Sequence, residues 1–203
     1  MSRILPLTPA TRHELPPPCV SCVFWQHDRI VTDERRKDAW SEAHAREHGA
    51  FGRVLSDDAG FRGMIQYGPS SEFPRALALP AGPPDPRGAL VTCVFLEGDD
   101  PVGTAERLML EALADLKGRG MRAVEAFALS YPGDVPVEDR FVGHHTLFDR
   151  DFLASLGFTR VRARGQVSLM RLELGGLQPG TSVLGRVAAA LRPLPAEPDA
   201  SPA

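Results

Sequence analysis

"ALVTCVFLEGDDPVGTAERLMLEALADLKGRGMRAVEAFAL" spans residues 89–129, and the order of patterns inside it decides the fold. Residues 89–96, ALVTCVFL, are dense in β-branched and apolar side chains and read as a buried strand. Leu108, Met109, Ala112, Leu113 and Leu116 recur at helical spacing, with Gly118 and Gly120 as stop signals. Residues 122–129, RAVEAFAL, give a second strand. Strand, tight loop, helix, strand is a βαβ unit, whose crossover is right-handed and whose strands run parallel. The first amides of a helix lack intrahelical partners and the helix dipole adds positive charge there. Gly103 permits close approach, so Gly103, Thr104 and Ala105 are placed to offer amides to a phosphate. A glycine at such a turn also has a purely steric use, and both readings stay open on the loop alone.

Outward from this unit the chain alternates in the same way. Residues 3–7 make a short strand and residues 32–49 a helix, opened by Thr32 or Asp33 and closed by Gly49. Residues 52–68 read as a β-hairpin turning at Asp57, Asp58, Ala59 and Gly60. Residues 80–88 and 131–139 are rich in turn formers and read as exposed loops. Residues 145–158 predict a short helix with Leu147, Phe148, Phe152 and Leu156 inward and Gly157 as its stop, followed by strands at 158–163 and 166–174. From Gly175 glycine and proline punctuate one weak helix, so 1–174 is expected to be the folded domain and 175–203 a C-terminal extension.

Bulk properties narrow the function classes. The chain has 203 residues, 43% hydrophobic and 24% charged, which suits one soluble globular domain. A net charge of −3 provides no footprint for nucleic acid. No apolar run reaches the length of a membrane span, and the first residues lack the apolar centre of a signal peptide. Three cysteines imply no disulfide framework and a reducing compartment. The expectation is a cytoplasmic monomer or homodimer with no nucleic-acid or membrane partner.

The element order, the loop 100–105 (DPVGTA) and residues 152–161 (FLASLGFTRV) together resemble the GNAT superfamily of N-acetyltransferases. The resemblance covers residues 88–174 best and implies an α/β fold. In that fold a central mixed sheet is flanked by helices, with a parallel pair at about 89–97 and 122–129 that splays apart. It implies acetyl-CoA as cofactor and an unknown small-molecule or protein amine as acceptor. The pyrophosphate falls to Asp100, Pro101, Val102, Gly103, Thr104 and Ala105. Phe95, Leu96 and Thr146 fall beside the pantetheine and thioester, where a backbone amide polarises the carbonyl. Two positions depart from the superfamily pattern: Asp100 stands where the loop opens with Gln or Arg, and Leu153 stands where a Tyr protonates the departing thiolate.

A general base or proton donor needs a carboxylate, histidine or phenol near the crevice. Glu125, His145 and Tyr131 are the candidates, each with a bland alternative as an ordinary strand-end or loop residue. Cys19 and Cys22, with His44 and His48 one helical turn apart, have the ligand types of a zinc site. The intervening stretch is longer than in a classical finger and residues 19–25 are apolar enough for core packing, so the cysteines are read as small hydrophobes and no metal is assigned. An N-acetyltransferase is the leading reading. A non-catalytic acyl-CoA-binding or protein-interaction module, favoured by Asp100 and Leu153, is the alternative, with a zinc-stabilised domain behind both.

Overall fold

The computed structural model of the chain describes residues 2–175; the extension expected beyond Gly175 lies outside the described residues apart from Gly175 itself. One mixed sheet runs β1 (Arg3–Pro6), β2 (Gly52–Asp57), β3 (Gly60–Pro69), β4 (Ala89–Leu96), β5 (Ala123–Leu129), β8 (Val167–Glu173) and β7 (Thr159–Arg164). A short β6 (Phe148–Asp149) pairs with β5 off that path. The pairs β4–β5 and β5–β6 are parallel and the others antiparallel. This is the mixed α/β architecture expected from residues 89–129.

Local chemistry explains the elements. The β2–β3 turn is closed by Asp57, whose Oδ1 accepts from the Ala59 amide at 2.8 Å. Helix α2 (Glu34–His48) begins where Asp33 Oδ1 accepts from the Arg36 amide at 3.0 Å, and ends at Gly49 with φ of 83°. A four-residue helix α1 (Pro17–Val20) precedes it. Helix α3 (Pro101–Gly118) is the βαβ crossover: Leu108, Met109, Ala112, Leu113 and Leu116 are fully buried on one sheet face against Ile65, Tyr67, Val91 and Val94. Each such aliphatic side chain contributes about 1.5–3 kcal/mol on burial. The opposite face packs Trp25, Phe73, Leu90 and Phe127 in one cluster and Leu7, Phe51, Val54 and Met64 in another, with Trp40 of α2 touching both. No helix among the described residues is long and apolar enough to cross a membrane.

Residues 131–139 differ from the expected loop, because helix α4 (Val137–Gly143) starts within them. Its composition is poor in helix signals, and tertiary anchors hold it instead. Phe141 meets Phe152 edge-on at 5.0 Å, and buried Arg140 donates to Asp149 Oδ2 at 3.2 Å. Leu147 and Phe148 are likewise not on the following helix: Phe148 belongs to β6, and α5 (Arg150–Ser155) starts after Asp149, whose Oδ1 accepts from the Phe152 amide at 2.7 Å.

His44 lies on α2 against the glycine of a strand. A Cβ at Gly68 would stand 2.5 Å from His44 Cε1, so the ring packs directly on β3. Its ring, 1% exposed, is held near Trp40, Phe51 and His48. Burial, then the positive neighbours His48, Arg119 and Lys37, pull its pKa down from 6.5 to about 4. Glu72 lies 3.7 Å from Nδ1 and is the one acid facing it. The folded form therefore binds fewer protons than the unfolded form between these two pKa values. Stability contributed by the neutral ring is complete above pH 6.5 and is lost as pH falls toward about 4. The expected loss is ~3 kcal/mol. Urea titrations of wild type and His44→Phe across this range check it, because the variant should lack this part of the slope.

Candidate active site

The site is built by one extra residue. In the β3–β4 ladder Tyr67 pairs with Val91 and Gln66 with Cys93, leaving Thr92 as a β-bulge on β4. A bulge bends its strand and breaks the ladder. The parallel β4–β5 pairing accordingly lasts only from Ala89–Val124 to Val91–Ala126, and beyond it the strands splay. Thr92 is fully buried: its Oγ1 donates to the Gln66 carbonyl at 3.1 Å and accepts from Gln66 Nε2 at 2.9 Å.

The chain's own residues bridge the gap. The Val94 amide donates to the His145 carbonyl at 3.0 Å, and β6 pairs with β5 at Ala128–Phe148 and Leu129–Asp149. Residues 145–149 thus run as a wedge between the diverging strands, with the His145 ring 4.4 Å from that of Phe95.

Behind Phe95 lies a cavity of about 50 Å³ on the sheet face opposite α3. Its walls include all three cysteines, Cys19, Cys22 and Cys93, with Lys37, His145 and Thr146. Lys37 is 2% exposed, and its Nζ donates to Gln66 Oε1 at 2.8 Å. Burial pulls the Lys37 pKa down and pushes the Cys19 and Cys93 thiols up to about 12. His145 is also lowered, chiefly by burial and then by His144.

The start of α3 departs from the expected geometry. Asp100 is its N-cap: Oδ1 accepts from the Gly103 amide at 2.9 Å and the main-chain oxygen from the Thr104 amide at 3.1 Å. Pro101 brings no N–H, so two of the three amides expected to face a phosphate are bonded to Asp100. A Cβ at Gly103 would overlap this carboxylate. Ala105 is buried beneath the helix and Val102 packs against the core. A cavity of about 260 Å³ lies alongside, lined by Glu97, Asp99 and Asp100 and by two cations, Arg62 and Arg107.

The three proton-transfer candidates are not brought together. His145 reaches the splay and the small cavity. Tyr131 does not line that cavity; its hydroxyl donates to the Arg140 carbonyl at 3.1 Å, and burial raises its pKa. Glu125 pairs with Leu90 at the closed end of the β4–β5 ladder, not at the splay. There its Oε2 accepts from the Asp85 amide at 2.7 Å and Arg171 lies 3.4 Å from Oε1, so the carboxylate anchors the 80–88 loop. Leu153 is fully buried and has no hydroxyl to donate. Leu96 packs with the α3 core. His44 packs on Gly68, whereas the cysteines line the small cavity, and no three metal-ligating side chains converge among the described residues.

A β-bulge on the fourth strand, a parallel pair that splays beyond it, and a helix starting at the mouth make up a fold that solved acetyltransferase structures share. An N-acetyltransferase from Staphylococcus aureus Mu50 superposes with a TM-score of 0.51 at 11% identity, over 86% of this chain and 99% of that one. A GNAT-family chain from Desulfovibrio desulfuricans gives 0.50 at 16% identity, over 86% and 99%. The yncA protein of Salmonella typhimurium, solved with its cofactor acetyl-CoA, gives 0.50 at 15% identity, over 85% and 94%. No family model and no curated protein matches the sequence.

Sequence reasoning missed Lys37, Gln66, Arg62 and Arg107. Lys37 had a signal, since it sits three and seven residues before Trp40 and His44 on the buried stripe of α2. Arg107 stands one turn beyond Gly103 on α3. Gln66 and Arg62 are strand residues whose partners depend on register.

Proposed function

We propose that this protein is an acetyl-CoA-dependent N-acetyltransferase, with residues 1–174 as the transferase domain. The observation that carries the reading is the splay of β4 from β5 beyond Thr92, which turns the Val94 amide toward the gap. The residues present fit acetyl-CoA at the thioester end, because the partner of that amide is a single main-chain carbonyl that can withdraw with its segment. At the phosphate end they fit less well: Arg107 is a suitable cation, but Arg62 is paired with Asp57 at 2.7 Å and Asp100 occupies the Gly103 amide. When bound, acetyl-CoA supplies an activated acyl group.

The chain's residues would do the rest. Val94 and its neighbours Phe95 and Leu96 would line the acyl end, with Thr146 beside them, and the start of α3 would meet the pyrophosphate. A preorganised N–H stabilises the oxyanion of thioester attack. His145, neutral at physiological pH because burial lowers its pKa, is suited to accept the proton of an incoming ammonium. Of the two roles open to it, base or proton donor, a neutral imidazole suits the base. Calorimetric titration with acetyl-CoA and CoA, followed by a thiol-release screen over amines and peptides, tests the reading; no binding at millimolar acetyl-CoA ends it.

A second reading is favoured by Asp100 and Leu153 together: a module that holds an acyl-CoA without catalysis. The charge of Asp100 is testable directly. Asp100→Ser keeps an oxygen to cap α3 while removing a charge from beside the phosphate position. Acetyl-CoA affinity is expected to rise roughly fivefold at low salt, about 1 kcal/mol, and the gain should shrink at high salt. Equal affinities at low salt would mean that the phosphates bind elsewhere.

A further inference from the structure

The cavity behind Phe95 is chemically unlike the rest of the interior. The Trp25 indole N–H, the Gln26 Nε2 and the His145 Nδ1 are buried without a hydrogen-bond partner, and all three residues line this one cavity. Buried polar groups left unmatched are costly, and two of these, the Trp25 indole and the Gln26 amide nitrogens, can only donate. Lys37 reaches the same space with no carboxylate beside it. Its Nζ donates to Gln66 Oε1 at 2.8 Å and lies 5.0 and 6.0 Å from the ring centroids of Trp40 and Phe51.

The volume decides what can enter. About 50 Å³ holds a group little larger than a water molecule, whose share of liquid is roughly 30 Å³. An acetyl group is of this order of size. The lining combines apolar Met64 and Phe95 with the polar Gln66, whose Oε1 accepts from Lys37 Nζ at 2.8 Å. His145 and Thr146 form the wall toward the splay, and they belong to the segment that must leave Val94 before an acyl donor can lie there.

We propose that Lys37 is itself an acetyl acceptor, modified by the protein's own transfer of an acetyl group from acetyl-CoA. In the step, the Lys37 Nζ lone pair forms a bond to the acetyl carbon and the carbon–sulfur bond breaks. The sulfur leaves with that electron pair and takes up the proton lost from Nζ, giving an amide and a free thiol. Burial lowers the Lys37 pKa and so raises the share of neutral amine relative to an exposed lysine, whereas the raised thiols of Cys19 and Cys93 stay protonated and poorly nucleophilic. The inference rests on the acetyl-CoA reading above and names a substrate for it.

The composition makes the test clean. Among 23 basic side chains the only lysines are Lys37 and Lys117, and Lys117 lies half-buried near the end of α3, the more accessible of the two. The full chain is incubated with acetyl-CoA carrying a labelled acetyl group, and peptides are mapped by mass spectrometry. The expected result is one acetyl group on Lys37, at least tenfold over Lys117, and no label in Lys37→Arg. Lys117→Arg, which leaves the cavity untouched, should still be labelled at Lys37, and circular dichroism of Lys37→Arg guards against misfolding of that variant. A second arm uses N-acetylimidazole, a small acyl donor that needs no CoA site and should label Lys117 first. Labelling of Lys117 or the N-terminus alone, or no label while calorimetry shows acetyl-CoA binding, overturns the proposal and leaves the transferase reading standing. Absence of both label and binding overturns the two together.

Discussion

Asp149→Ala is expected to lower stability by about 3–5 kcal/mol and the melting temperature by on the order of 10 °C. Asp149 is 3% exposed and performs three tasks: it pairs with buried Arg140, caps α5 through the Phe152 amide, and ends β6 beside Leu129. Truncation leaves the buried Arg140 guanidinium with only the exposed Asp151 carboxylate, 3.8 Å away, as counter-charge, and weakening a buried pair in this way is costly. Arg140 also donates to the Val135 carbonyl at 2.9 Å, so loss of its position should release α4 along with the wedge. Asp149→Asn keeps an oxygen for the cap and should cost less than the alanine. Thermal and urea unfolding of the two variants measure this; equal, small losses would show that the ion pair contributes little.

The second large effect is on turnover. His145→Ala is expected to lower thiol release with an accepted amine by on the order of 10²–10⁴-fold, the usual range for a lost proton acceptor. Acetyl-CoA affinity should hold, because the removed ring faces the small cavity and Phe95 rather than the phosphates. The pH profile gives the sharper readout. Burial and then His144 lower the His145 pKa, while the Val94 contact partly opposes them, and Lys37 and the thiols of Cys19, Cys22 and Cys93 share its cavity. Wild-type turnover should therefore be full at neutral pH and fall only below the ordinary histidine range. The variant should lack that acid limb. Matching wild-type and variant profiles would remove His145 from proton transfer.

Much of the fold was readable because it depends on short-range periodicity. The ALVTCVFL strand, the α3 stripe and the Asp57–Gly60 turn each carry their signal within a few residues, and the structure places them there. Helix α4 was not readable, because its stability comes from Arg140 reaching Asp149 nine residues on, inside a stretch full of turn formers. The strand face of Glu125 was also legible. Which end of the β4–β5 pair it occupied was not, since that depends on where the Thr92 bulge ends the ladder. The Lys37 cavity gathers α2, β3, β4, the segment after α1 and the wedge, so no local window contains it. Asp100 was noticed as a foreign charge at the loop, but its use as the cap of α3 needed coordinates.

The wedge at residues 145–149 has a consequence for solubility. Two strands that part company expose rows of unpaired amides and carbonyls, a template on which another chain can add a strand. Here the His145 carbonyl covers the edge of β4, and Phe148 and Asp149 cover that of β5. The fold thus carries its own edge guard, and variants that loosen it should form sheet-rich aggregates more readily than the parent chain.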